Sequence, residues 1–315
     1  MILVTGSQGL IGQYLLRYLR KAGIAAQEFD IRRNQQEDIR CADTLRHALH
    51  GVEGIVHLAA VSRVVWAEEH PELAYSVNVA GLRTLLKAVA DKEKKPWIIF
   101  ASSREVYGNS TELPVHEDAQ LLPLNAYAKM KVQGERLIHD AVSSGIRANI
   151  CRFSNVYGAI SDHADRVAVA FARTAAFGGE LRVDGGANTF DFTHVSDVAE
   201  GLFRLVEATG KKELLPPVHF VSGQGVTLNQ LARLAVSLAA DGIEIGIHDA
   251  PSRAFDVSRF VGNPHRAKAL LGWEAKTPLP LGFSELISLF RRADESTSFP
   301  PWLGLLENNL PAQNR

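Results

Sequence analysis

The 315-residue chain has only two cysteines, Cys41 and Cys151. Two are too few for a disulfide framework or a cysteine-rich metal site, and they suit a reducing compartment. Neither charge is in surplus: 34 basic residues stand against 35 acidic ones, a formal net charge of −1. No basic run is long enough to track a phosphate backbone, which excludes nucleic acid as an expected partner. The run Lys92-Glu93-Lys94-Lys95 reads as a solvated helix end. The 11 histidines form no His-x-x-x-His pair, so no metal is expected. No apolar run approaches the roughly 20 residues that cross a bilayer. Residues 1–6 are already a strand entering a turn, without the basic start and long apolar core of a signal peptide. The expectation is a cytoplasmic chain with no membrane partner.

What is present is ordinary globular composition, 46% hydrophobic and 22% charged. Short apolar runs alternate with helical spacing through the first half. Strands are expected near 2–4, 25–29, 54–58, 97–101 and 147–152, with helices near 11–21, 44–49, 73–91 and 126–144. Such alternation predicts an α/β fold, a Rossmann-like doubly wound parallel sheet, with ligands bound beyond the carboxyl ends of the strands. The alternation weakens after Gly158. A helix near 164–177, a return strand near 218–222, and helices near 228–240, 265–271 and 281–293 suggest a smaller C-terminal α/β substrate lobe. The expected division is 1–155 for the dinucleotide domain, with return segments near 190–222, then 156–189 and 223–295 for the lobe. Residues 296–315 read as an extension.

Thr5-Gly6-Ser7-Gln8-Gly9-Leu10-Ile11-Gly12 follows the first strand and opens the first helix. Gly6 permits the tight turn, Gly9 lets backbone approach a pyrophosphate, and Gly12 allows close helix packing. The helix N-terminus adds free N–H groups and a partial positive charge. Asp30 ends the second strand 18 residues after Gly12. Its carboxylate suits the adenosine ribose hydroxyls and repels a 2′-phosphate, favouring NAD over NADP. Arg32 and Arg33, directly after it, are the groups that would clasp such a phosphate, or else solvated loop charge. Asp38 and Ile39 are candidates beside the adenine.

Tyr127 and Lys131 stand four apart on one face of a helix. A free phenol is a poor base at neutral pH; a nearby ammonium and a positive nicotinamide ring would both favour its phenolate. Ser103, at the end of the fourth strand, is placed to hydrogen-bond a reacting hydroxyl.

Taken together with His57-Leu58-Ala59-Ala60, Ser102-Ser103-Arg104-Glu105-Val106-Tyr107-Gly108, Arg152-Phe153-Ser154-Asn155-Val156-Tyr157-Gly158 and Leu271-Gly272-Trp273, these motifs resemble the extended short-chain dehydrogenase/reductases over about residues 1–292. Within that group the chain is similar to the nucleotide-sugar epimerases and dehydratases. The resemblance implies an NAD held through the turnover, with Tyr127 taking the sugar 4-hydroxyl proton and a 4-keto intermediate forming. It implies that Leu58, Ala59, Ala60 and Asn78 line the cofactor, and that Asn155 and Arg253 approach the substrate diphosphate. It also implies a homodimer, since the helices near 73–91 and 126–144 resemble those that pair in family dimers.

Three departures bear on the reaction. Glu105 occupies a place where dehydratases and decarboxylases of this family often carry the carboxylate that removes the C5 proton, whereas many epimerases have a small residue. Between it and Ser103 stands Arg104, which cannot act as a general acid but could neutralise Glu105 in an ion pair. Asp184 replaces an aromatic residue expected against the base, and Phe190 replaces an expected arginine. That loss removes a charge-assisted phosphate contact, and Arg166, Arg173 and Arg182 are candidates to compensate. The leading expectation is an NAD-dependent nucleotide-sugar epimerase acting at C4. A 4,6-dehydratase or decarboxylase using Glu105 is the alternative. A non-catalytic dinucleotide sensor is a second, against which Ser103, Tyr127 and Lys131 speak.

Overall fold

Short β-branched runs flanked by helical spacing set the order of elements, which a computed structural model describes for residues 1–293. The expected extension at 296–315 and the last two residues of the lobe segment lie outside the described residues. The first half contains β1 (Ile2–Thr5), α1 (Leu10–Lys21), β2 (Ala26–Phe29), α2 (Ala42–Ala48), β3 (Gly54–His57), α3 (Val64–Glu69) and α4 (Pro71–Tyr75). A π-helical stretch (Ser76–Gly81) leads into α5 (Leu82–Ala90), then β4 (Trp97–Ser103), a 3-10 turn (Arg104–Tyr107), α6 (Ala126–Ser143) and β5 (Ala148–Phe153). The second half runs β6 (Asn155–Tyr157), α7 (Val167–Phe177), β7 (Gly179–Asp184), β8 (Thr189–His194), α8 (Val195–Gly210), β9 (Val218–Phe220), β10 (Gly225–Thr227), α9 (Leu228–Ser237), β11 (Ile245–Ala250), α10 (His265–Leu271) and α11 (Leu279–Arg292).

The main sheet has the order β2-β1-β3-β4-β5-β9, and each neighbouring pair in it is parallel. Both faces of the inner strands are buried, so β1, β3 and β4 read as near-continuous apolar runs, while the edge strand β2 is half-buried. Alternate residues serve opposite faces: Leu3, Ile55, Ile98 and Phe100 pack with α5 and α6, while Val4, Val56, Ile99 and Cys151 pack with α1 and α8. The expected doubly wound architecture is therefore present. Strand order reverses between β1 and β3, which opens a crevice at their carboxyl ends. A third core joins α7, α9 and α11 to Phe190 and Phe192 of β8.

The sequence reading differs from the structure in identifiable ways. The helix expected near 73–91 is interrupted by the π-helical stretch, where the buried Asn78 turns its amide onto Val61; such bulges mark places where side-chain chemistry competes with the helix. Helix α8 was not anticipated, although Val195, Val198, Leu202 and Leu205 carry helical spacing and are fully buried. Strands β6, β7, β8, β10 and β11 were also missed. β6 and β10 have only three residues each, whereas β7 does alternate, with Leu181 and Val183 inward and Glu180 and Arg182 outward, a signal the sequence reading passed over.

Behind the sheet lies a buried ion pair. Arg152 makes a bidentate contact to Glu135, at 2.8 Å from Nε and 2.6 Å from Nη2, and Ser102 Oγ donates to the same carboxylate. Removing one partner strands the other charge away from water. Glu135→Ala should cost about 3–5 kcal/mol, read as a lower urea midpoint; an unchanged midpoint would contradict this account of the core.

Candidate active site

The crevice at the strand-order reversal is built by the glycine turn. Gly6 has φ +71°. A Cβ on it would lie 2.6 Å from the Ala59 nitrogen, and one on Gly12 would lie 2.4 Å from the Gly6 carbonyl oxygen. Neither position admits a side chain, so backbone alone forms the cradle. Helix α1 begins after Gly9 with no side chain capping it, which leaves its N-terminal dipole for a phosphate. Gly6, Gly9, Leu10, Ile11 and Gly12 all line one continuous cleft with Leu58, Ala59, Ala60 and Ile39. These features fit a dinucleotide.

Asp30 is buried at the end of β2. Its carboxylate accepts from the Gln8 amide at 2.9 Å and the Arg32 amide at 2.8 Å, which anchors it at the adenosine end. Arg32 bends back, Nη1 donating to the Gln8 carbonyl at 3.2 Å, and Arg33 pairs with Glu37. Both arginines thus have acidic or carbonyl partners in place of a 2′-phosphate. Gln8 serves through its backbone, since its side chain donates to Glu28 at 2.6 Å. Asp38 lines the cleft but is paired with Arg40 at 2.6 Å. Asn78 lies behind the cleft wall. Its Oδ1 accepts from the Val61 amide at 2.8 Å and its Nδ2 donates to the Val61 carbonyl at 3.0 Å, so it shapes the wall without forming it.

Helix α6 positions the reacting groups. Asn125 caps it, Oδ1 accepting from the Ala128 amide at 2.8 Å, and two residues later Tyr127 enters the cleft. The Lys131 ammonium sits 5.7 Å from the Tyr127 ring centroid and donates to the Ala101 carbonyl at 2.7 Å. Burial pulls that ammonium down to about 8, opposed by Cys151 and Glu135. Burial also pushes the Tyr127 phenol up to about 12, against the pull of the Arg166 guanidinium and the hydrogen bond with Ser103. Without a nicotinamide ring beside it, desolvation outweighs the charges this cleft brings to the phenol. Asn125 was missed by the sequence reading, although an Asn just before an apolar-periodic segment is a recognisable cap.

Glu105 is buried and doubly engaged. Arg104 Nη2 lies 2.7 Å from its Oε1, and Asn125 Nδ2 donates to its Oε2 at 2.9 Å. Asn155 lines the same cleft and accepts from Arg104 Nε at 2.9 Å. Three further candidates lie at the cleft wall, each tied to a neighbour: Arg166 to Asp162, Arg182 to Asp184, and Arg253 to Asp256. Across the mouth, Arg63 donates to Asp165 at 2.7 Å, Arg166 to Ser62 at 3.2 Å, and Trp66 meets His163 edge-on at 4.9 Å. No sequence signal marks this strap, because its partners are about a hundred residues apart.

Comparison with known proteins agrees with this geometry. A model of the NAD dependent epimerase/dehydratase family matches residues 2–215. The UDP-glucose 4-epimerase of Halalkalibacterium halodurans is 26% identical over 308 residues, covering 88% of this chain and 91% of that protein. Among solved structures, MoeE5 in complex with UDP-glucuronic acid and NAD superposes with a TM-score of 0.85 at 26% identity, covering 93% of this chain and 99% of that one. TunA, an NAD-dependent NDP-hexosamine 5,6-dehydratase, superposes with a TM-score of 0.82 at 26% identity, over 93% and 98%.

Two outcomes follow for binding and stability. Asp30→Ser removes a carboxylate that favours ribose hydroxyls and repels phosphate, so the NAD-over-NADP preference should fall by about 10–100-fold; equal preference before and after the change would contradict the assignment. The second concerns Lys131, whose folded value near 8 lies below its ordinary 10.5. The fold therefore disfavours the ammonium, and that penalty is present below about pH 8 and fades as pH rises towards 10.5. Lys131→Met should be the more stable protein at pH 7, by roughly 1–3 kcal/mol, with the gap closing by pH 10 in paired urea titrations. A gap that widens with pH would show the burial cost to be misjudged.

Proposed function

We propose, for a chain that belongs to the NAD dependent epimerase/dehydratase family, the inversion of a nucleotide-linked sugar at C4 through a transient 4-keto intermediate. The observation that carries this reading is the convergence of Tyr127, Ser103 and Lys131 on the cleft that the glycine turn opens, with Glu105 neutralised by Arg104 beside them. Gly6, Gly9, Gly12, Asp30, Ala59 and Lys131 are the residues that would hold NAD. Bound there, NAD supplies a hydride acceptor that ends each turnover as it began.

The chain's own groups handle the proton and the geometry. Ser103 lines the cleft with Tyr127 and in this reading hydrogen-bonds the sugar hydroxyl at the phenol oxygen. Tyr127 receives the C4 hydroxyl proton as hydride leaves the same carbon, and returns it when the carbonyl is reduced on its opposite face. Because burial keeps the phenol protonated at neutral pH, positive charge must gather around it when the site is filled. Arg166, the strongest opposing charge, contributes to that. Asn155 and Arg253 face the diphosphate in this reading.

The pairing of Glu105 weighs against the dehydratase alternative, which needs a carboxylate free to take the C5 proton. The likeness to TunA keeps that alternative in view, and product analysis separates the two. The same proposal assigns residues 1–155 with 190–222 to the dinucleotide domain and the remainder of 156–295 to the substrate lobe. The packing of α7, α9 and α11 into one core supports the lobe, and Phe190 and Phe192 of the return segment join that core. A cytoplasmic homodimer completes it, supported by two unpaired cysteines and the resemblance of the 73–91 and 126–144 segments to dimer helices.

Incubation with a panel of UDP-sugars should yield the 4-epimer with no net change in NAD. Tyr127→Phe should lower turnover by at least ~1000-fold while NAD stays bound. A persistent 4-keto-6-deoxy product, absorbing strongly in alkali, would replace the epimerase by the dehydratase. Net consumption of NAD would replace both by a simple dehydrogenase.

A further inference from the structure

We propose that Arg104 binds an anionic oxygen of the substrate, contributed by its diphosphate or by a carboxylate on its sugar. The inference rests on the function proposed above and assigns it a specificity-determining residue. Arg104 follows Ser103 directly, in the 3-10 turn at the carboxyl end of β4, and its side chain is only 9% exposed. Three contacts fix the guanidinium. Nε donates to Asn155 Oδ1 at 2.9 Å, Nη2 lies 2.7 Å from Glu105 Oε1, and the plane stands 4.5 Å over the Phe190 ring, with Phe260 at 5.9 Å. The remaining nitrogen, Nη1, is buried and has no hydrogen-bond partner.

A guanidinium never loses its proton in a protein, so this donor cannot become neutral to escape the cost of burial. An unsatisfied donor on a buried charge is expensive, and it persists where a ligand completes the shell. Arg104 lines the same cleft as Ser103, Tyr127 and Asn155, which places the open donor among groups that meet substrate. Arg182 and Arg253 on the same wall are 72% and 45% exposed along their side chains, so water reaches them. Arg166 is 27% exposed, and its buried Nε, though without a hydrogen bond, lies 3.2 Å from the Asp162 carboxylate, whereas Nη1 of Arg104 has no acceptor. Phe190, where the sequence departs from the family pattern, serves Arg104 as a platform. Stacking on it orients the guanidinium fork, and a planar fork of N–H groups matches phosphate and carboxylate oxygens.

The test measures binding by calorimetry on NAD-loaded protein, independently of turnover, with UDP, UDP-glucose and UDP-glucuronate as probes. A protein that binds these ligands without epimerising them would sink the proposed function and leave the role of Arg104 readable. Arg104→Met should weaken binding by about 10–100-fold, and Arg104→Lys, which keeps charge but loses the fork, by less. If all three probes weaken together, the diphosphate is the partner. If only UDP-glucuronate weakens, the partner is the sugar carboxylate. Because Arg104→Met also frees Glu105, the double variant Arg104→Met/Glu105→Gln is measured alongside and should retain the loss. Parental affinity in the double variant would mean that Arg104 only neutralises Glu105, and the inference falls. It falls equally if Arg104→Met binds all three probes as the parent does, or if the unsubstituted protein binds none.

Discussion

Desolvation of one helical face governs this molecule. Helix α6 carries Tyr127 and Lys131 into a cleft where neither is more than 7% exposed, and burial moves both in the direction of neutrality: the ammonium down, the phenol up. An exposed Tyr-Lys pair would keep ordinary values and gain little from proximity, since water screens the charges between them. Buried, each responds to charge within a few ångströms, so whatever enters the cleft changes the phenol. In the reading proposed above, positive charge beside the phenol is what lets it take a proton.

The rest of the cleft keeps its own charges in pairs. Asp38 with Arg40, Asp162 with Arg166, Asp165 with Arg63, and Glu105 with Arg104 cancel locally, which avoids lone ions in a low-dielectric space. This economy bears on the choice of reaction. Glu105 is held by a guanidinium and by Asn125, which in the proposed reading keeps it out of the chemistry. One exchange of residue between Ser103 and Glu105 thus redirects two neighbours.

Features set by short-range spacing were legible in the sequence. The glycines at 6, 9 and 12, the acid ending the second strand, and the Tyr-x-x-x-Lys pair all depend on contacts within one turn or one βαβ unit. Features set by distant contacts were not. Arg104 meets Phe190 across 86 residues, and Arg63 meets Asp165 across 102; no local pattern encodes either. The π-helical stretch escaped because Ser76–Gly81 lies inside a longer helical pattern, and the bond of Asn78 to a separate loop is not written in that spacing. The direction of the Tyr127 shift escaped for another reason. Spacing shows which charges are near, but the larger influence was burial, and depth is not written in spacing.

The central claim is that burial keeps the Tyr127 phenol protonated until the dinucleotide site is filled. Ultraviolet difference titration reports it directly, comparing the parent protein with Tyr127→Phe as a blank for the other tyrosines, with and without NAD. The account predicts no phenolate signal from Tyr127 up to pH 10 without NAD, and a signal well below that pH once NAD is bound. A phenol that ionises below pH 10 in the NAD-free protein, or whose titration is unmoved by NAD, would contradict it.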